Sequence, residues 1–302
     1  MPRAQAAPNK EITDRVHPWY KFRKDARAMA RDFFLGGEFV TGHDMPQDGS
    51  ESGAFVSDKS CYLWKSEAED SKAYNKRKTE ANYENRFARI LQVKTDTLFR
   101  STITRPVAEN SDEAAFLKNV DGRGTLIDDY MREWYQWAGV EDVCYTLVDR
   151  PAPPISVETN EPIPIQTAAQ ARDANLFPRW IMIRADDLMD WAVDNNGNLL
   201  AIKFRQQIAD TSPLDQRRAT DKTKYEYWIW TPFSRSHYDF EGRLLQVTPL
   251  NLGEIPLIAL ASRWLEPMLP MSRNEDAVGI ARKLYNVESK IDSLLGFHGF
   301  PI

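Results

Sequence analysis

The side chains in this chain that could do chemistry are few and scattered. Four histidines, His17, His43, His237 and His298, stand far apart, and none shares a metal-ligand spacing with another histidine or with a cysteine. The densest carboxylates are Asp186 and Asp187, followed by Asp190, and the pair Asp128 and Asp129. Neighbouring residues on a helical turn point in different directions, so such pairs chelate poorly and read as caps or solvated groups. Asp121-Gly122-Arg123-Gly124 precedes a helix start, where free N–H groups attract anions. It lacks the spacing and the lysine of a Walker loop, so it reads as a tight turn that uses glycine's backbone freedom. There is no GxSxG nucleophile elbow and no Cys-His pair near in sequence. Cys144 lies in the apolar run 143–148 and reads as a buried free thiol, while Cys61 sits in very different surroundings. The basic groups Lys76-Arg77-Lys78 and Arg217-Arg218 are short, and glutamates interleave the first, as on a solvated or intersubunit face. The expectation is a protein with no catalytic residue, no metal and no cofactor, and not an enzyme.

The bulk properties agree with a part rather than a catalyst. A chain of 302 residues can bury a large core and divide into two domains. With 42% hydrophobic and 27% charged residues and a mean hydropathy of −0.54, it has a globular profile with ample polar surface. No run of about 18 apolar residues is present to span a bilayer, and the first ten residues lack the apolar stretch of a secretory signal. The net charge of −5 argues against coating nucleic acid with the whole surface. It allows a duplex to pass along a wall that does not grip phosphates. The 9 Trp, 11 Tyr and 14 Phe suit either a packed core or interfaces between subunits.

The elements that must position these residues follow from periodicity. Trp19, Phe22, Ala26, Met29 and Phe33 predict a helix over 17–35 that Gly36 and Gly37 end. Residues 44–60 read as a long loop. One long helix is expected over 67–101, with Tyr83, Phe87, Ile90, Leu91, Lys94, Leu98 and Phe99 as its stripe. Ser111 should cap a short helix. Thr125, with Asp128 three residues on, should cap another that buries Leu126, Tyr130, Met131, Trp134, Tyr135 and Ala138 and closes at Gly139. A buried strand over 143–148 then implies an α/β layer. Residues 151–164 are proline-rich and read as a surface loop or arm. A strand at 180–183 leads to a helical turn over 184–191 packed by Leu188 and Trp191. Strands at 199–206, 224–231, 244–247 and 255–260 form a meander with turns at Asp194–Gly197 and Asp239–Arg243. Tyr225, Tyr227 and Ile229 alternate in the second of these. After a linker at Pro267 and Pro270, a second long helix over 274–295, capped by Asn274, carries Val278, Ala281, Leu284, Tyr285, Glu288, Ile291 and Leu295 on one side.

Strung along these elements is an ordered set of motifs. Asp32 precedes Gly36-Gly37-Glu38. Tyr62-Leu63 is followed by Tyr74, Arg77, Tyr83 and Asn85. Then come Asp121, Gly122 and Gly124; Val148, Asp149 and Pro151; Trp191 after an acidic turn; Gly253, Ile255 and Pro256; and Gly299-Phe300-Pro301. In order and spacing the chain resembles the portal, or head-to-tail connecting, proteins of tailed bacteriophages from about Asp32 onward.

That resemblance implies an α+β, portal-like fold: a wing-type α/β body with long helices and a β meander. It divides the chain into an N-terminal helix and loop region (1–66), the wing-like body (67–265) and a helical segment near the stem or crown (266–302). Members are usually longer, so it implies further sequence after Ile302. The implied function is structural: a homo-oligomeric ring, typically of twelve subunits, in the virion at one capsid vertex, made in the host cytoplasm. Double-stranded DNA would pass through its channel during packaging and ejection without sequence readout. The major capsid protein, the terminase and a tail adaptor would dock on it. A separate ATPase would drive the DNA, so the ring needs no nucleotide site. The residues also leave open a lone α/β enzyme or binding module with a pocket that sequence does not reveal, and another capsid or tail-adaptor ring component.

Overall fold

A computed structural model of the chain describes residues 9–41, 62–101, 103–109, 111–151, 176–207 and 225–298, with single positions 163, 165, 167, 170 and 174 between them. The expected loop at 44–60, Cys61, His43, Arg217-Arg218, most of the proline-rich stretch and the motif residues Gly299 and Pro301 lie outside the described residues. The helices are α1 (Lys10–Asp14), α2 (Pro18–Leu35), α3 (Glu38–Thr41), α4 (Ser71–Glu80), α5 (Arg86–Leu98), α6 (Asp112–Leu117), α7 (Ile127–Val140) and α8 (Glu275–His298). The strands are β1 (Val143–Asp149), β2 (Arg179–Arg184), β3 (Leu188–Val193), β4 (Leu199–Gln207), β5 (Tyr225–Trp230), β6 (Ser234–Tyr238), β7 (Leu244–Pro249), β8 (Leu257–Ala261), β9 (Trp264–Glu266) and β10 (Leu269–Pro270). The class is α+β. Among the described residues no helix is long and apolar enough to cross a membrane.

Strand β1 organises the first sheet. It lies between β2 and β8, antiparallel to both, and alternation sends its side chains to two different cores. Val143, Tyr145 and Leu147 face the meander, where they meet Leu188, Trp191, Ile202, Phe204 and Trp230. Cys144 faces α7 and joins Tyr130, Trp134 and Ala138. A strand buried on both faces must be apolar at nearly every position, which is why 143–148 reads as an unbroken run. The meander has the order β3-β4-β5-β6-β7. Ile202 pairs with Trp230 and Phe204 with Trp228. That register turns Trp228 and Trp230 toward the sheet core, the set opposite to Tyr225, Tyr227 and Ile229. The helical layer is a third core in which α2, α5 and α8 bury Phe33, Tyr83, Phe87, Leu91, Val278, Ala281 and Tyr285.

Several expectations need correction. The single helix over 67–101 is two helices, broken at 81–85. Asn85 accepts from the Ala88 amide and starts α5, while Ala81 and Tyr83 turn inward. Ile90 and Leu98 of the expected stripe are exposed, and Thr95 is buried instead. In α2, Phe33 of the expected stripe is buried, together with Tyr20, Arg23, Arg27 and Ala30, whereas Phe22 is 68% exposed. Thr125 does not cap α7. Its hydroxyl donates to Asp121, and Leu126 occupies the cap position without a side-chain bond. Gly139 lies inside α7 because the helix passes close to a neighbour: a Cβ there would stand 3.3 Å from Leu91. The stretch 184–191 is a short turn leading into β3, not a helical turn. Strand β6 was not expected, because its polar sequence Ser-Arg-Ser-His-Tyr has no apolar alternation. The proline linker is the β9–β10 ribbon. The side chain of Asn274 does not cap α8. Its amide donates to the Gly139 carbonyl and its oxygen accepts from Lys94. Of the stripe proposed for α8, Ile291 and Leu295 are exposed.

Other readings hold. Ser111 caps α6 through the Ala114 amide. Asp194 accepts from Asn196 and Asn198 in the β3–β4 turn, and Asp239 does the same for Glu241 and Arg243 before β7. Gly36 ends α2 at φ +70 with the Asn85 amide pressed against its α-carbon. Gly36→Ala should therefore destabilise the fold by about 1–3 kcal/mol through backbone strain and collision. Urea denaturation would read this as a lower midpoint with an unchanged slope.

Candidate functional site

The first cluster of motif residues sits where α4 and α5 meet α2 and α8. Arg77 projects from α4 and is 4% exposed. Its guanidinium donates to both oxygens of Glu69 at 2.8 Å, to the Trp64 carbonyl at 2.7 Å and to Ser289 on α8 at 3.1 Å. Those bonds hold Glu69 far below the usual carboxylate range, at about 2. Tyr74 lies under the same guanidinium and donates to the Leu63 carbonyl at 3.2 Å. Tyr83 donates to the Phe33 carbonyl at 3.1 Å and meets the Phe33 and Tyr285 rings edge-on. Asn85 donates to the Phe34 carbonyl at 2.8 Å. Two of the four orphan carbonyls at the end of α2 are thus satisfied from the 83–85 break. These four residues fasten helices together, and their polar atoms are spent inside the protein.

The second cluster lines a cleft of about 580 Å³ beside β2 and the end of β4. Here the structure brings together Asp121, Gly122, Asp149 and Pro151, which lie far apart in sequence. Asp121 accepts from the Arg123 amide at 2.8 Å and from the Thr125 hydroxyl at 2.7 Å, and Asn119 accepts from the Gly124 amide at 2.7 Å. Burial works to raise Asp121, but these bonds win and hold it below its ordinary value. The amides of Arg123, Gly124 and Thr125 in this turn are already occupied. Gly122 is required by close approach, since a Cβ there would lie 2.5 Å from Nε of Arg179. Gly124 adopts φ +94, and a Cβ added there would meet nothing within 4 Å. Asp149 accepts twice from Nη1 of Arg235 at 2.8 Å, and burial still raises it. The cleft wall carries Arg31, Arg123, Arg179, Arg184 and Arg205 against Asp121, Glu133, Asp149, Asp186 and Asp187. The charges cancel, so the cleft has no net preference for an anion.

The remaining motif residues stand apart. Trp191 is buried in β3 and stacks on His17 with ring centroids 3.9 Å apart. Pro256 gives its carbonyl to the Val148 amide at 3.0 Å, which carries β1 onto β8. Gly253 takes φ +74 at the rim of a separate, shallower depression. Among the described residues no three His, Cys, Asp or Glu side chains group as metal ligands. Burial pushes the Cys144 thiol well above its ordinary value.

The most highly charged buried feature is one the sequence reading missed. Arg23, Arg27 and Arg31 recur every four residues on α2 and so share one helix face. That face is buried against carboxylates from other elements. Arg23 clamps Asp142 at 3.0 and 3.1 Å and Glu275 at 3.1 and 3.0 Å; Arg27 adds a third bond to Asp142 at 3.1 Å. Arg31 pairs with Asp186, and Arg184 pairs with the fully buried Glu141 while stacking on Trp137. Asp142 holds a left-handed backbone, φ 73, between α7 and β1. Arginine recurring at i, i+4 and i+8 along one helix was the available signal.

Asp32, next in line, is 1% exposed and accepts from Tyr62 at 2.5 Å. Burial pushes it up to about 6, against the Tyr62 bond and the charge of Arg31, and the carboxylate of Asp186 adds to the rise.

Comparison with protein-family models and with curated proteins returns no match.

Two outcomes follow from this geometry. Asp142→Asn keeps a residue that tolerates the left-handed backbone but removes the charge shared by two buried arginines. It should cost about 3–5 kcal/mol, measured by chemical denaturation. For Asp32 the folded pKa lies above the unfolded value, so the folded state holds more protons between about pH 4 and 6. Its contribution is therefore present at low pH and is lost as pH rises through about 6. Asp32→Asn should remove that fall, so the variant gains on the wild type across this window in a series of denaturation midpoints.

Proposed function

We propose that this chain is a portal-type subunit of a tailed bacteriophage. In this reading it is a structural protein that assembles into a ring at one capsid vertex. The ring gives DNA a channel for packaging and ejection and gives the terminase and tail adaptor a platform. What supports the reading is the use to which the motif residues are put. Arg77, Tyr83, Asn85 and Asp149 spend polar atoms on internal bonds that join elements distant in sequence, while Tyr74 fastens the segment before α4 and Asp121 closes its own turn. A pattern of residues kept for geometry suits a subunit whose task is to hold shape, where a pattern kept for catalysis would leave reactive atoms facing a cleft. The wing-type body, the channel and the docking partners come with the resemblance. A closed ring requires two different complementary faces on each subunit.

A second reading, a small-molecule or peptide-binding module, draws on the cleft beside β2. Its volume falls in the range of ligand pockets, and its ten charged groups of both signs could orient a zwitterionic ligand.

The mass and symmetry of the purified particle decide between them. Native mass spectrometry with electron-microscopic class averages should give a ring of roughly twelve copies with an axial hole. A clean monomer that binds a small zwitterion in the cleft would replace the ring reading with the second.

A further inference from the structure

We propose that the outer face of α8 is a self-association seam, through which copies of this chain pack in parallel and in register. Among the described residues the helix is packed on one side only. Val278, Ala281, Tyr285, Asn286 and Ser289 are buried toward α2, α4 and α5. On the opposite side Ile280, Leu284, Val287, Ile291 and Leu294 follow one another at steps of four, three, four and three residues. This is the seven-residue repeat of a coiled-coil seam. Ile280 is 56% exposed, Val287 52%, Ile291 48% and Leu294 58%. A solvated helix face is normally polar, and four exposed apolar side chains with the half-buried Leu284 in heptad register are not the scattered singles that any surface carries.

The flanking charges name the occupant and its direction. With Leu284 and Ile291 at a, and Ile280, Val287 and Leu294 at d, Lys283 and Lys290 fall at g and Glu288 at e. In an antiparallel pair g faces g, which would set lysine against lysine. In a parallel pair each g faces the e position five residues further on, so Lys283 of one copy meets Glu288 of the next. Glu288 is held at the seam's edge by Arg86 of its own chain at 2.7 Å, with its side chain 31% exposed. A second copy of α8 therefore supplies both the apolar ridge and the matching charge. The seam covers little more than two heptads, too short to fold as a free peptide. Here the helix is already formed by packing on the body, so association does not carry the cost of nucleation. The inference does not rest on the ring reading, since a ring could close through other faces.

The test uses the full chain. Sedimentation should show an assembly of two or more copies that Val287→Asp with Ile291→Asp reduces to monomers, while circular dichroism and the melting temperature stay near wild type. In a Cys61→Ser background, Val287→Cys should give chain-to-chain disulfides under mild oxidation. Asp292→Cys, one position off the seam, should not, and Cys144 stays silent because it is fully buried. Should the double aspartate variant fail to fold, the cysteine pair still decides. A wild-type chain that sediments as a monomer, or equal linking at 287 and 292, overturns the seam. A ring whose mass survives the aspartates and does not link at 287 overturns the seam and leaves the ring reading standing.

Discussion

The interaction on which the rest of this structure depends is the clamp of Arg23 and Arg27 on Asp142. It joins α2, the turn between α7 and β1, and, through Glu275, the start of α8. Arg23, Arg27 and Asp142 are almost fully withdrawn from water, and a buried charge without a partner costs several kcal/mol. The three elements must therefore meet in one arrangement, in which the two guanidinium groups and the two carboxylates satisfy one another. Burial works against the charge of Arg23, yet its bonds to Asp142 and Glu275 hold its pKa above the ordinary arginine value. A hydrophobic contact in the same place would tolerate sliding. This one sets the register of α2 along both the sheet and the helical layer.

Two layers of different character hang from that clamp. The sheet side is apolar and is fixed by alternation, with β1 feeding a core on either face. The helical side is fixed by polar staples at element ends. Asn85 and Tyr83 close the carbonyls of α2, and Arg77 ties the segment before α4 to α8. Staples of this kind keep short helices in place without long stretches of apolar contact. They leave outer helix faces free of any structural duty, and the apolar outer face of α8 belongs to that freed surface.

The charged cleft beside β2 comes from the same design. Arg31, Arg184 and Arg205 approach it from the network side, already engaged by Asp186, Glu141 and Asp187. Its wall is electrostatically saturated. That explains how ten ionisable groups share one cleft without a strong field for either sign, and why the glycine turn at its rim is a structural device and not a phosphate cradle.

What the sequence determined is whatever depends on local spacing. The buried strand at 143–148, the turns at Asp194 and Asp239, the Ser111 cap and the span of α2 all follow from periodicity and turn chemistry within a few residues. The α+β class came with them, whereas the strand expected to end the meander, β8, pairs with β1 in the first sheet instead. The tertiary structure decided what depends on partners distant in sequence. The apolar residues of α2 placed Phe33 inside, but not that the buried face also carries Arg23 and Arg27, because their partners Asp142 and Glu275 are distant in sequence. The break at 81–85 exists because Tyr83 and Asn85 serve α2, and β6 is a strand because its neighbours pair with it. The motif residues were legible as a pattern, but that they act as staples and not as reagents is a fact of contacts. A side chain's spacing is written in the chain, whereas the group that satisfies it is supplied only by the fold.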